Sequence, residues 1–212
     1  MNKFRLLFSL LGVLLLFVGS CSAIPSLSTR KDSHGKINIS GAFALYPLMT
    51  RWAEEFQRIN PGVNFDIASV GAGKGMTDVL EGKVDIGMVS REISEEEKNN
   101  GAYPLPVAKD AVFVLINEKN PVADKLLVKG VTKDTLVNIF MTGKNKSWGE
   151  VIGDPFITDE IHVYTRSDVC GAGATWGLFL GGTQDELLGK KKFGDPGVVQ
   201  AIKDDPLGIG YN

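Results

Sequence analysis

Cysteine and histidine are both scarce, with two of each in 212 residues. Two cysteines cannot build a disulfide framework or a four-cysteine zinc site, and two histidines leave little for imidazole-based metal chemistry. Charge of one sign is lacking too. With 23 basic against 25 acidic residues the formal charge is −2, so no positive field exists to attract nucleic acid, and no nucleic-acid partner is expected. What is present is glycine, 25 residues, which points to tight turns and close backbone approaches. The apolar share of 43% and charged share of 23% are those of a globular chain, not a disordered one. The length suits one medium domain or two small lobes with a sizeable core.

The first twenty residues read as an export signal and stand outside the fold. Lys3 and Arg5 form a basic start, and Leu6 to Val18 is an uncharged apolar run too short to span a bilayer comfortably. Val18-Gly19-Ser20-Cys21 resembles the lipobox of bacterial lipoproteins, which makes residues 1–20 a lipoprotein signal peptide and Cys21 the lipidation site. A lipid on Cys21 would anchor the protein at a membrane without crossing it, in the periplasm or cell envelope. Removing residues 1–20 leaves 21 basic against 25 acidic residues. Residues 21–36, rich in Ser, Thr and Lys, read as a flexible tether.

From Ile37 onward short β-like runs alternate with helical patterns, the signature of an α/β fold. Residues 37–40 and 63–70 read as strands. Between them Leu45, Leu48, Met49, Trp52, Ala53, Phe56 and Ile59 recur on one helical face, with Pro47 in the first turn and Asn60-Pro61-Gly62 as the stop. A short helix to about Leu80 and a strand over 84–88 follow. Ser94 and Glu97 have capping-box spacing. Residues 111–117 and 161–165 read as strands, and residues 132–140, 171–180 and 195–203 as helices. The chain stops at Gly208-Ile209-Gly210-Tyr211-Asn212, which reads as a strand in mid-course and suggests a truncated fragment.

Three segments share one design, in which a strand is followed by small residues and then a helix: Ser40-Gly41-Ala42-Phe43, Ser69-Val70-Gly71-Ala72-Gly73 and Cys170-Gly171-Ala172-Gly173. Helix N-termini offer unpaired N–H groups and about half a positive charge, and small residues let an anion reach them. Arg166, just after a strand, can fork onto two oxygens of an anion or form a salt bridge to Asp168 or another acid. Arg91 can touch a ligand or form an ion pair with Glu92 or a neighbouring lobe. No nucleotide-binding motif occurs. Cys170 at a helix start is the one tempting nucleophile, but no base is visible beside it, and a small residue lining the loop is the simpler reading. His162 reads as a strand residue. No enzyme activity, metal or cofactor is expected.

These residues resemble a known family. Gly41-Ala42-Phe43-Ala44-Leu45-Tyr46-Pro47-Leu48 is similar to the first phosphate loop and helix of the phosphate-binding proteins of ABC importers, the PstS family. Ser69 to Gly75 resembles its second glycine-rich loop, and Asp85-Ile86-Gly87-Met88-Val89-Ser90-Arg91 another of its segments. Ile139-Phe140, Thr142-Gly143 and Trp148 resemble a further stretch, and Arg166-Ser167-Asp168 to Thr175 stands where the family has Arg followed by Ser-Gly-Thr. The resemblance implies a two-lobed, periplasmic-binding-protein-like (type II) α/β fold, each lobe a mixed sheet flanked by helices. Lobe 1 would span 37–116 and lobe 2 would span 117–212, with a return segment to lobe 1 missing. It implies a monomer that holds phosphate between its lobes and delivers it to ABC transporter permease subunits. Carried over by position, Ala42 and Phe43 would give backbone N–H groups, and Ser69, Gly71, Ser90, Arg166, Cys170, Gly171 and Ala172 would line the rest. Hydroxyl side chains common in the family are absent at Ala42, Cys170 and Ala172. That keeps tungstate, molybdate or sulfate open as ligands, and a sensor or interaction module open as the role.

Overall fold

The computed structural model of the chain describes residues 34–212. The signal peptide expected at 1–20, Cys21 and most of the expected tether lie outside the described residues. Gly35 and Lys36, assigned to the tether from sequence, already belong to the first strand, where they pair with Val63 and Asn64.

Strands β1 (Gly35–Gly41), β2 (Val63–Ser69) and β3 (Ile86–Met88) alternate with helices α1 (Tyr46–Ile59) and α2 (Ala72–Leu80). The strands form a parallel sheet in the order β2-β1-β3, so this sheet is parallel throughout where a mixed one was expected. Gly41 closes β1 at φ +139°, and a Cβ there would overlap the Met88 carbonyl of β3. Only glycine fits that strand end.

Helix α1 forms over the expected residues, but its apolar face is only half covered. Ala53 is buried, and Leu45 and Met49 pack on a small core around Ile39 and Met88. Trp52, Phe56 and Ile59 remain 38%, 44% and 52% exposed. The cause is the width of the sheet. Helix α1 lies against β2, which is the edge strand, so the far side of the apolar stripe has no sheet beneath it.

Helix α3 (Glu95–Asn99) begins with the Ser94/Glu97 capping box that the spacing predicts. After an irregular stretch come β4 (Val114–Ile116), α4 (Ala123–Lys129), α5 (Lys133–Phe140), α6 (Trp148–Ile152), β5 (His162–Arg166) and α7 (Gly171–Leu180). A 3-10 turn (Gln184–Glu186), β6 (Lys190–Lys192), α8 (Gly194–Asp204) and β7 (Gly208–Tyr211) complete the described chain. Four strands form a second, mixed sheet in the order β4-β7-β5-β6, with β4 antiparallel to β7 and the other pairs parallel. Residues 114–116, placed in lobe 1 from sequence, therefore belong to the second sheet.

The main core lies on this second sheet. Trp176 stacks on Tyr211 with ring centroids 5.7 Å apart, and Phe140 meets Trp176 edge-on at 5.5 Å. Trp148 is fully buried, and its Nε1–H donates to the Leu207 carbonyl at 3.1 Å. Trp148→Ala leaves a large void, so it is expected to lower unfolding free energy by about 3–5 kcal/mol, measured by denaturant titration.

Candidate functional site

A cavity of about 200 Å³ opens where strand ends and helix starts from both sheets converge. Its wall comprises Ala42, Phe43 and Ala44 from the turn between β1 and α1, Ala72 at the start of α2, and Ser90 after β3. Asp110, Ala111 and Val112 precede β4; Arg166 ends β5; Cys170 and Ala172 open α7; Asp195 opens α8; and Asn212 follows β7. A crevice outside the carboxyl ends of parallel strands is where open α/β sheets bind ligands.

Of the residues singled out from sequence, Ala42, Phe43, Ser90, Arg166, Cys170 and Ala172 line this cavity, whereas Ser69, Gly71 and Gly171 do not. Ala42 was expected to offer its N–H, but that group donates to the Met88 carbonyl at 2.8 Å. Ser69 ends β2 in register with Gly41. Gly71, at φ +95°, donates its N–H to the Gly41 carbonyl at 2.9 Å. Its Cα lies against Asp168, where a Cβ would come within 3.0 Å of Oδ2. Gly171 lies against the Ser90 backbone, and a Cβ on it would overlap the Ser90 carbonyl. These two glycines serve the approach of the first sheet's loops to those of the second, not the wall itself. Gly73 adds to the same seam, donating its N–H to the Val169 carbonyl at 3.2 Å.

Arg166 is the electrostatic centre. Its side chain is 1% exposed. Nε–H donates to Asp168 Oδ1 at 2.8 Å, Nη2–H to Asp168 Oδ2 at 2.5 Å, and Nη1–H to Asp195 Oδ1. The Phe43 ring sits 5.7 Å from the guanidinium, close enough for a cation–π contact. The two readings left open for Arg166 thus meet in one residue, which is salt-bridged to Asp168 and also forms part of the cavity wall. Both oxygens of Asp168 are engaged, since Oδ1 also accepts the Gly194 N–H at 3.0 Å. Burial would push its carboxyl up, but Arg166 and that N–H hold it below the usual carboxylate range. Asp195 goes the other way: burial pushes its carboxyl up, and Asp168 and Asp110 add to the rise against the pull of Arg166.

Cys170 caps α7, its Sγ accepting the Gly173 N–H at 3.2 Å. Burial pushes the thiol up to about 11, opposite to the lowered value a helix N-terminus can give. The thiolate is therefore scarce at neutral pH. Folded protein is expected to resist iodoacetamide at pH 7 and to alkylate on unfolding, read by mass spectrometry. Arg91 proves to be a structural ion pair, with Nη1 and Nη2 donating to Glu97 at 2.9 and 2.6 Å. That contact holds the Glu97 carboxyl at about 2. His162 lies in β5 with Nδ1 2.7 Å from Asp205 Oδ2, a strand residue as read.

Sequence reasoning missed Asp110, Asp195 and Asn212. Asp195 had been noted only as part of a helix start. All three reach the wall through sheet topology, and no local motif marks them.

A domain model described as a PBP superfamily domain matches residues 28–212. The phosphate-binding protein PstS of Bacillus subtilis (strain 168) is 30% identical, over 99% of this chain and 70% of its own length. The chain belongs to the PBP superfamily and, within it, to the PstS family. Another PstS-family relative, the phosphate-binding protein PstS of Pseudomonas aeruginosa, is 29% identical over 90% of this chain. The chain spans 62% of that relative's length. Among solved structures, a phosphate ABC transporter substrate-binding protein from Clostridium perfringens, determined with bound phosphate, superposes with a TM-score of 0.74 at 28% identity, covering 84% of this chain and 70% of the other. The fold is thus the type II periplasmic-binding-protein arrangement that the PstS resemblance implied.

Proposed function

We propose that the chain is an extracytoplasmic solute-binding protein that captures inorganic phosphate in the cavity around Arg166 and delivers it to the permease of an ABC transporter. One observation carries the reading: a buried guanidinium forms part of a cavity between the loops of two sheets. The PstS relatives, named for phosphate binding, support the same ligand. In this reading the parallel sheet with α1 and α2 is one lobe and the four-stranded sheet the other. The anion lies between them, and closure over it presents a surface to the permease. Lipidation of Cys21, attachment to the cell envelope and a monomeric state belong to the same proposal. It contains no catalytic step.

A second reading rests on the wall itself. Ala42 and Ala172 carry no hydroxyl, and the Cys170 thiol is a weak donor, which removes donors that would mark the site for phosphate and leaves a different oxyanion such as tungstate, molybdate or sulfate open. The deciding experiment is calorimetric titration of chain stripped of bound anion by unfolding and refolding. Phosphate is expected to bind at micromolar affinity or tighter, which corresponds to about 8 kcal/mol. Preference for one of the other three anions would replace phosphate with that ligand. Binding of none would overturn the transport reading and leave a sensor or interaction role on the same fold.

A further inference from the structure

One side chain of the first sheet reaches across the seam. Phe43 stands in the turn between β1 and α1, yet its ring is seated on the second sheet's loops. The Arg166 guanidinium lies over the ring, 5.7 Å from its centroid. The Phe193 ring meets it edge-on, with centroids 5.8 Å apart and planes at 83°. Gly194 forms the floor. A Cβ there would stand 2.8 Å from Cζ at the tip of the Phe43 ring, and its φ of +71° suits glycine. This slot is tied to the cavity, because Gly194 donates its N–H to Asp168, which grips Arg166 through both oxygens.

Phenylalanine brings no hydrogen-bonding side chain to an anion, although Phe43 and Arg166 share the cavity wall. Its ring serves another end, and the rest of the seam shows which. Gly73 gives one backbone hydrogen bond to Val169, while Gly71 and Gly171 allow close approach of the loops. Glycines set how near the loops can come, but they have no side chain to bury. Phe43 supplies what they lack: apolar surface, an edge-to-face aromatic pair and a cation–π contact.

We propose that Phe43 is the latch of this cavity, a positioning residue whose ring in the Arg166–Phe193–Gly194 slot holds the loops of the two sheets together around the bound anion. The proposal rests on the oxyanion reading of the cavity and adds to it which side chain holds the closed form. Parting the loops withdraws the ring and leaves Phe193 and the guanidinium face without their partner. Without the ring the closed form is less populated, and apparent affinity falls with that population. The loss falls on dissociation, since an anion meeting an open cavity does not need the ring.

The test is stopped-flow and calorimetric measurement of inorganic phosphate binding by the full chain stripped of bound anion. Phe43→Ala is expected to bind about tenfold more weakly, the order of one aromatic pair with one cation–π contact, with dissociation faster and association little changed. Phe193→Ala should show a smaller loss of the same kind, and the double variant less than the product of the two. Phe193 is 61% exposed, so its truncation opens no core void, and that variant carries the test if Phe43→Ala does not fold. In X-ray scattering, ligand-free Phe43→Ala should have a larger radius of gyration than ligand-free wild type, and saturating phosphate should remove the difference. A lowered denaturation midpoint with dissociation rate and radius unchanged would make Phe43 a structural residue only and overturn the proposal. Tighter binding by Phe43→Ala would overturn it too, since the ring would then obstruct the anion. If the wild-type chain binds none of phosphate, sulfate, molybdate and tungstate, the oxyanion reading falls, and an unchanged radius in Phe43→Ala is then what overturns the latch.

Discussion

Arg166→Ala is expected to remove phosphate binding altogether and to destabilise the fold in the same stroke. The side chain is buried against two carboxylates, so deleting it strands Asp168 and Asp195 without their cation. Breaking a buried ion pair from one side costs roughly 3–5 kcal/mol, read as a lower denaturation midpoint. Arg166→Lys separates the two consequences. Lysine keeps the charge but cannot reach Asp168 through two nitrogens as the guanidinium does, so it should restore only part of the lost stability and still lose about 10–100-fold in affinity, the equivalent of one charge-assisted hydrogen bond. If Arg166→Lys binds phosphate as tightly as wild type, the fork is not what holds the anion.

Gly171→Ala is expected to weaken phosphate binding by at least about 100-fold, near 3 kcal/mol, and to lower stability by about 1–3 kcal/mol, because the added Cβ meets backbone that cannot swing aside. The Cβ it adds would overlap the Ser90 carbonyl. To accommodate it, the α7 start and the loop after β3 must separate, and Ser90 and Cys170 then no longer face one cavity. Each charge-assisted hydrogen bond lost in that separation costs about 1.5–3 kcal/mol. Calorimetry and denaturant titration on the same variant give both numbers. Loss of stability with intact binding would mean that the approach of Gly171 to Ser90 matters for folding and not for the ligand.

Much of this arrangement is written locally. The Ser94/Glu97 box and the helix begun at Cys170 form as their spacing predicts, and Thr132 caps α5 through the Thr135 N–H, because capping is decided within four residues. Arg166 could be singled out because a cation directly after a strand has a fixed direction. Elsewhere the information is non-local. Three consecutive lysines carry no strand pattern, yet Lys190–Lys192 form β6 because β5 offers a free edge to pair with. The apolar face of α1 is correctly periodic, but periodicity says nothing about how wide a sheet lies beneath it. Asp195 and Asn212 lie far from Ala42 in sequence and meet it only once both sheets exist. The donor role expected of Ala42 fails for a related reason: the Met88 carbonyl of a neighbouring strand reaches its N–H first.

The position of β7 has a consequence for the order of assembly. It lies between β4 and β5 although it follows both in sequence, and its Tyr211 is fully buried beside Trp176 and Phe140. The second sheet cannot join its halves until residues 208–211 are present, whereas the three described strands of the first sheet are all in place by Met88. Contacts of such long sequence separation form slowly. A chain synthesised from its N-terminus would hold the strands β1 to β3 early and keep the second sheet open, with aromatic surface uncovered, until residues 208–211 have emerged. For a chain read as exported, that delay favours a state still loose enough to be threaded through a membrane.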